Sequence, residues 1–123
     1  MKVAVCARES HINSPVDQRF GRCPYFVVVD VDSGDWEGLP NTGCHSGGGA
    51  GIQTAQLLVN AGVKAVLVDR IGPNAMEVLA RAGIQVYEGI SGTVSQSVEA
   101  YRQGHLKLLS QPNSPRHSRR GRS

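Results

Sequence analysis

From residue 52 onward the chain alternates between a helical and a strand-like hydrophobic period, and that alternation restricts it to one broad class of fold. Ile52, Ala55, Leu58 and Val59 recur at helical spacing and stop at Gly62. Residues 65–68 are a short apolar run of strand length. Gly72-Pro73 then opens a second helix with proline at its first position, where the missing N–H costs nothing, and Gly83 closes it. Residues 84–87 read as another strand. Thr93 and Gln96 have capping-box spacing ahead of a third helix, whose Val94, Val98 and Tyr101 share a face and which ends at Gly104. Strand-helix-strand units of this kind build parallel crossovers, right-handed by the general rule.

The front of the chain is different. Residues 3–6 and 25–31 are β-branched apolar runs, as in strands of a buried sheet. The Asp32-Ser33-Gly34 turn leads to a short third strand, 35–39, stopped by Pro40. The expected order is β-β-β-α-β-α-β-α, an α/β fold with a mixed five-stranded sheet flanked by helices. If the first strand is central, with the second antiparallel on one side and the fourth parallel on the other, four strand ends feed one rim. That rim collects segments 7–24, 40–51, 69–73 and 88–93, with all three cysteines on or beside it. Such rims are where open α/β sheets bind ligands.

The 123 residues suffice for one hydrophobic core and not for two. The net charge of +3 is unevenly spread. Residues 1–110 hold nine Lys/Arg and ten Asp/Glu, whereas 111–123 hold Arg116, Arg119, Arg120 and Arg122 and no acid. The expected organisation is one domain over 1–110 and a flexible basic tail over 111–123, since the tail has no apolar residue to bury. Such a tail suits nucleic acid or an acidic protein. No apolar run approaches the ~20 residues that cross a bilayer, and no secretory h-region follows Met1, so a cytoplasmic protein without membrane contact is expected. Cys6, Cys23 and Cys44 are an odd number with no C-x-x-C pair, which argues against a disulfide scaffold or a zinc finger.

Residues 41–51, Asn-Thr-Gly-Cys-His-Ser-Gly-Gly-Gly-Ala-Gly, form a connection about twice the usual ~4–6 residues. Gly47, Gly48, Gly49 and Gly51 let successive N–H groups converge on an anion at a helix start. Composition alone leaves a mobile connection equally open. The loop lacks the G-K-[ST] ending of a Walker A motif and does not fit G-x-G-x-x-G, which disfavours ATP and NAD. Cys44 and His45 add soft and borderline metal ligands suited to iron, molybdenum or copper in sulfide surroundings, with Cys23 an open case on the same rim. Arg19 and Arg22 put two guanidiniums where they could flank an anion. Asp30 and Asp32 lack the further carboxylates of a two-magnesium nuclease, and no nucleophile has an evident base, so no catalytic residue is expected.

Ser14-Pro15-Val16, Arg19-Phe20-Gly21-Arg22-Cys23-Pro24-Tyr25-Phe26, Gly48-Gly49-Ala50-Gly51 and Gly72-Pro73-Asn74-Ala75 together resemble the dinitrogenase iron-molybdenum cofactor biosynthesis family over about residues 1–109. The resemblance implies a ribonuclease H-like three-layer fold without nuclease activity. It also implies a carrier of an iron- and/or molybdenum-containing metal-sulfide cluster, of iron-molybdenum or molybdenum-copper type, that works with a cluster donor or recipient protein. Many relatives carry histidine where this chain has Arg19, which moves the expected ligand role to Cys44 and His45.

Overall fold

Val3, Ala4, Val5, Cys6 and Ala7 are all fully buried, and that run is the centre of the sheet. The computed structural model describes residues 1–45 and 49–113, with Cys44 and His45 described by backbone alone. The strands are β1 (Lys2–Ala7), β2 (Tyr25–Asp30), β3 (Trp36–Pro40), β4 (Ala65–Val68), β5 (Gln85–Glu88) and β6 (Lys107–Leu109). The helices are α1 (Ala50–Ala61), α2 (Pro73–Arg81) and α3 (Val94–Arg102), and a 3₁₀ turn spans Thr42–His45.

The sheet order is β3-β2-β1-β4-β5-β6. β2 is antiparallel to both β1 and β3, β4 is parallel to β1 and β5, and β6 is antiparallel to β5. The expected arrangement around a central β1 therefore holds, but the expected count of five strands does not. The sixth strand, Lys-Leu-Leu, has three residues and no β-branched or aromatic side chain, so its own propensity carries little strand signal. It exists because the open edge of β5 offers unpaired backbone groups.

Alternation along the strands sorts the core into two layers. Ala4, Cys6, Phe26, Val28, Val66, Val68 and Val86 face Leu58 of α1 and Met76 and Leu79 of α2. Val3, Val5, Val27, Val29, Ala65 and Leu67 face Val94 and Val98 of α3. The register places Val27, Val5 and Leu67 side by side across three strands, so a one-residue slip would exchange the two faces.

Helix ends follow their local chemistry. Gly62 ends α1 with φ +77°, and Gly83 and Gly104 take similar left-handed values beyond α2 and α3. The capping box at α3 is present: Thr93 Oγ1 accepts from the Gln96 N–H at 3.1 Å, and Gln96 Oε1 accepts from the Thr93 N–H at 3.0 Å. α1 starts at Ala50, two residues before the apolar periodicity announces it.

Candidate functional site at the carboxyl rim of the sheet

The carboxyl ends of β1, β3, β4 and β5 lie at one rim, and the segments that leave them are tied to one another. The Val16 N–H donates to Gly92 O at 3.0 Å and the Val94 N–H to Ser14 O at 2.9 Å, pinning the β1–β2 connection onto the β5–α3 loop. Further along, the Arg22 and Cys23 N–H groups both donate to Arg19 O, at 3.0 and 2.7 Å, and close residues 19–23 into a tight turn.

That turn rests on the start of α1. A Cβ on Gly21 would stand 3.1 Å from the Gly51 nitrogen and 3.2 Å from its Cα, so the absence of a side chain at 21 permits the approach. Asn41 locks it from below. Its buried side chain donates from Nδ2 to Cys23 O at 2.8 Å, while its Oδ1 accepts from the Gly43 N–H at 3.2 Å and Thr54 Oγ1 at 3.0 Å. One amide thus joins the β1–β2 turn, the 3₁₀ turn and α1, each of these buried polar groups having a partner. Gly43 lies equally close to α1, where a Cβ would stand 2.8 Å from the Thr54 nitrogen.

Arg19, Arg22 and Arg70 give one part of the rim a positive character. Arg19 donates from Nε and Nη2 to the Asp17 carboxylate at 3.0 and 2.8 Å, and its own N–H donates to Asp17 Oδ1 at 2.8 Å. Burial pushes the Asp17 carboxyl up, but the hydrogen bonds and charge of Arg19 outweigh it and hold the group below its ordinary range. Asp17 is 2% exposed, whereas the Arg19 side chain is 66% exposed, so the carboxylate orients the guanidinium from inside and leaves its outer side to solvent. Arg70 pairs with Arg19 backbone to backbone in parallel fashion, bringing a second exposed arginine alongside. Arg22 lies on the same turn.

The first turn of α1 adds to this character. Gly49, at φ +73°, turns the chain into the helix, no side chain caps the first N–H groups, and no acid lies in the first turn. The Gln53 N–H bonds Gly49 O at 3.0 Å, leaving the N–H groups before it without carbonyls of their own helix. Those donors and the helix dipole favour an anion.

Of the expected site residues, the structure brings Arg19, Arg22, Gly49 and Gly51 to this rim. Gly47 and Gly48 lie outside the described residues, as do the side chains of Cys44 and His45, whose backbone forms the end of the 3₁₀ turn. Cys23 is placed inside the core and not on the surface: it is fully buried, and its thiol donates to Phe20 O at 3.4 Å. Cys6 lies in the same layer, its thiol pushed up by burial and then by a hydrogen bond with Cys23, so it stays protonated. Among the described residues no three His, Cys, Asp or Glu side chains converge in a way that could hold a metal ion.

Two rim residues carry no sequence signal of their own. Arg70 follows the β4–Asp69 end without a motif, so only the pairing with Arg19 reveals it. Asn113 lies in the segment expected to be a flexible tail. Its Oδ1 accepts from the Ile71 N–H at 2.7 Å, and its Nδ2 donates to Asp69 O at 2.9 Å and to Glu88 Oε1 at 2.7 Å. After β6 the chain returns to the rim at Asn113, three residues beyond the expected end of the domain at 110. Residues 114–123 lie outside the described residues. No described helix is long and apolar enough to cross a membrane. A groove lined by Lys2, Val28, Asp30, Asp35, Trp36 and Glu37 lies at the other end of β2 and shares none of these features.

Comparison with known proteins agrees with this fold. The chain resembles the apo form of the orange protein from Desulfovibrio gigas, with a TM-score of 0.89 and 36% identity over 92% of this chain and 96% of that one. A NifB-like protein from Thermotoga superposes with a TM-score of 0.76 at 33% identity, covering 98% of both chains. An uncharacterised protein of Methanocaldococcus jannaschii is 31% identical over 98 residues, 77% of this chain and 83% of its own length. Residues 1–104 match the family model described as dinitrogenase iron-molybdenum cofactor, and the chain belongs to that family.

Proposed function

We propose that the chain is a non-catalytic carrier that binds an iron- and/or molybdenum-containing metal-sulfide cluster, or its precursor, as cargo on the rim beside α1. The carrying observation is the closure of the Arg19–Cys23 turn onto the side-chain-uncapped start of α1, with Arg70 paired to Arg19. A thiometallate is an anion, and backbone N–H groups with arginines can hold an anion without many covalent bonds. Such a hold is releasable, which suits transfer between a donor and a recipient protein. Membership of the family and likeness to the orange protein support the cargo class.

In this reading Cys44 and His45 supply the direct ligands, since they sit on the backbone turn that leads into the Gly47, Gly48, Gly49 segment. Cys23 takes a positioning role in place of the ligand role expected for it, because its enclosed thiol braces the arginine turn. The first five strands, in the order β3-β2-β1-β4-β5 with β2 alone reversed, support the ribonuclease H-like description. A cytoplasmic location goes with the same reading, Cys6 and Cys23 being free thiols of the kind that reducing compartments preserve.

Anaerobic reconstitution with tetrathiomolybdate and either ferrous or cuprous ions tests the proposal. The expected result is a protein-bound visible chromophore that changes or disappears in a Cys44→Ala/His45→Ala variant. A colourless protein after gel filtration would contradict it.

A further inference from the structure

β6 and residues 110–113 lie beyond residues 1–104, the span that matches the family model, yet they lead back to the candidate cargo rim. Asn113 is where they arrive. Its N–H donates to Ile71 O at 3.2 Å, its Oδ1 accepts from the Ile71 N–H at 2.7 Å, and its Nδ2 donates to Asp69 O at 2.9 Å. One residue thus holds the backbone on both sides of Arg70. Ile71 is buried and Arg70 is exposed, so Arg70 is the outward residue between two held peptide groups, at the position paired with Arg19.

The same Nδ2 donates to Glu88 Oε1 at 2.7 Å, and Glu88 Oε2 lies 3.9 Å from Lys107 Nζ. Glu88 ends β5 opposite Val68, two residues before Arg70. A free carboxylate there would oppose an anion gathered by the arginines. Instead each of its oxygens is engaged by the returning segment, one by Lys107 of β6 and the other by Asn113. Asn113 therefore fixes a cation and occupies an acid with a single amide.

We propose that Asn113 is a positioning residue for anion binding: it sets the backbone from which Arg70 extends beside Arg19 and, with Lys107, takes up the Glu88 carboxylate that would otherwise repel the cargo. The inference rests on the cargo-carrier reading and adds to it the residues that set the charge presented at the Arg70 end of the rim. Its effect on affinity is moderate, because Arg70 is exposed and salt screens it.

The test is equilibrium binding of tetrathiomolybdate, a dianion, by the full chain and by Asn113→Ala, Asn113→Asp, Arg70→Gln, Asn113→Ala/Arg70→Gln and Asn113→Ala/Glu88→Gln. Circular dichroism melts verify that each is folded. In about 50 mM salt, Asn113→Ala is expected to bind roughly fivefold more weakly than the parent. Asn113→Asp keeps the shape and the acceptor for the Ile71 N–H but puts a charge in place of the donor, and a loss of about tenfold or more is expected. In the Arg70→Gln background, Asn113→Ala is expected to cost only about twofold, since the freed Glu88 alone remains to act. Adding Glu88→Gln to Asn113→Ala is expected to bring affinity back to within about threefold of the parent. A residue that merely braces the fold would lose the same factor with or without Arg70 and gain nothing from Glu88→Gln. That result, or parental affinity in both Asn113 variants, would overturn the proposal and leave the carrier reading standing. No saturable binding by the parent would overturn both readings together.

Discussion

Gly21 and Gly51 meet backbone to backbone: a Cβ on Gly21 would lie 3.1 Å from the Gly51 nitrogen, whereas a Cβ on Gly51 would meet only the Ala75 side chain at 3.5 Å. The two glycines therefore differ in kind. Gly21→Val has to push the arginine turn off α1, and it is expected to cost about 1–3 kcal/mol of stability and to weaken anion binding. Gly51→Ala replaces a glycine in the first turn of α1 without a clash, and a gain of up to about 0.5 kcal/mol is expected with anion binding retained. Urea unfolding of the two variants checks the contrast.

Asn41 holds three elements with one amide, so its loss removes three buried hydrogen bonds at once. Asn41→Ala is expected to cost about 2–4 kcal/mol, and Thr54→Val, which removes one of the three bonds, about 1–2 kcal/mol. The double variant should cost less than the sum, because the same bond is broken in both, and a double-mutant cycle by urea denaturation measures the shortfall.

Asp17 gives the rim a pH dependence whose sign follows from its depressed carboxyl. A group held below its ordinary value near 3.8 contributes stability above that pH and loses it as pH falls through the lower, folded value. Burial alone would move it the other way. In Arg19→Ala the guanidinium's hydrogen bonds and charge are gone while the residue-19 N–H and the charge of Arg8 remain, and the Asp17 carboxyl is expected to titrate higher than in the parent, read by the carboxyl carbon resonance. The stability change is expected to be small, below about 1 kcal/mol near neutral pH, because the Arg19 side chain is 66% exposed and the pair is screened.

Gly49 adopts φ +73°, and a Cβ placed on it would meet no heavy atom within 4 Å, so a side chain there brings strain and no clash. Gly49→Ala is expected to lose about 1–2 kcal/mol, and Gly49→Asn less, since asparagine tolerates that conformation. A thermal melt distinguishes them. Both should bind anion more weakly than the parent only to the extent that the first turn of α1 shifts.

Most of the fold was legible because the sheet and helices announce themselves by period and punctuation. The apolar run at residues 3–6, the Gly72-Pro73 start of α2 and the Thr93–Gln96 box need no tertiary information. β6 was not legible, since Lys107–Leu109 becomes a strand through the edge of β5. The presence of Arg19, Arg22, Gly49 and Gly51 on the rim was readable from the turn and loop chemistry, their role there being part of the proposal. Arg70 and Asn113 were not, because each matters through a partner distant in sequence: Arg19 for one, Ile71, Asp69 and Glu88 for the other. Cys23 was an open case on the rim, and the turn folds its thiol inward against Phe20 O.

The central claim is that the Arg19–Arg70 rim at the start of α1 holds a metal-sulfide anion. It is tested most directly by the affinity of anaerobic protein for tetrathiomolybdate in the parent and in an Arg19→Gln/Arg70→Gln variant that melts as the parent does. The expected result is a saturable one-to-one complex in the parent, weakened about tenfold or more in the variant and progressively by salt. Equal binding by the two proteins, or binding that never saturates, would contradict it.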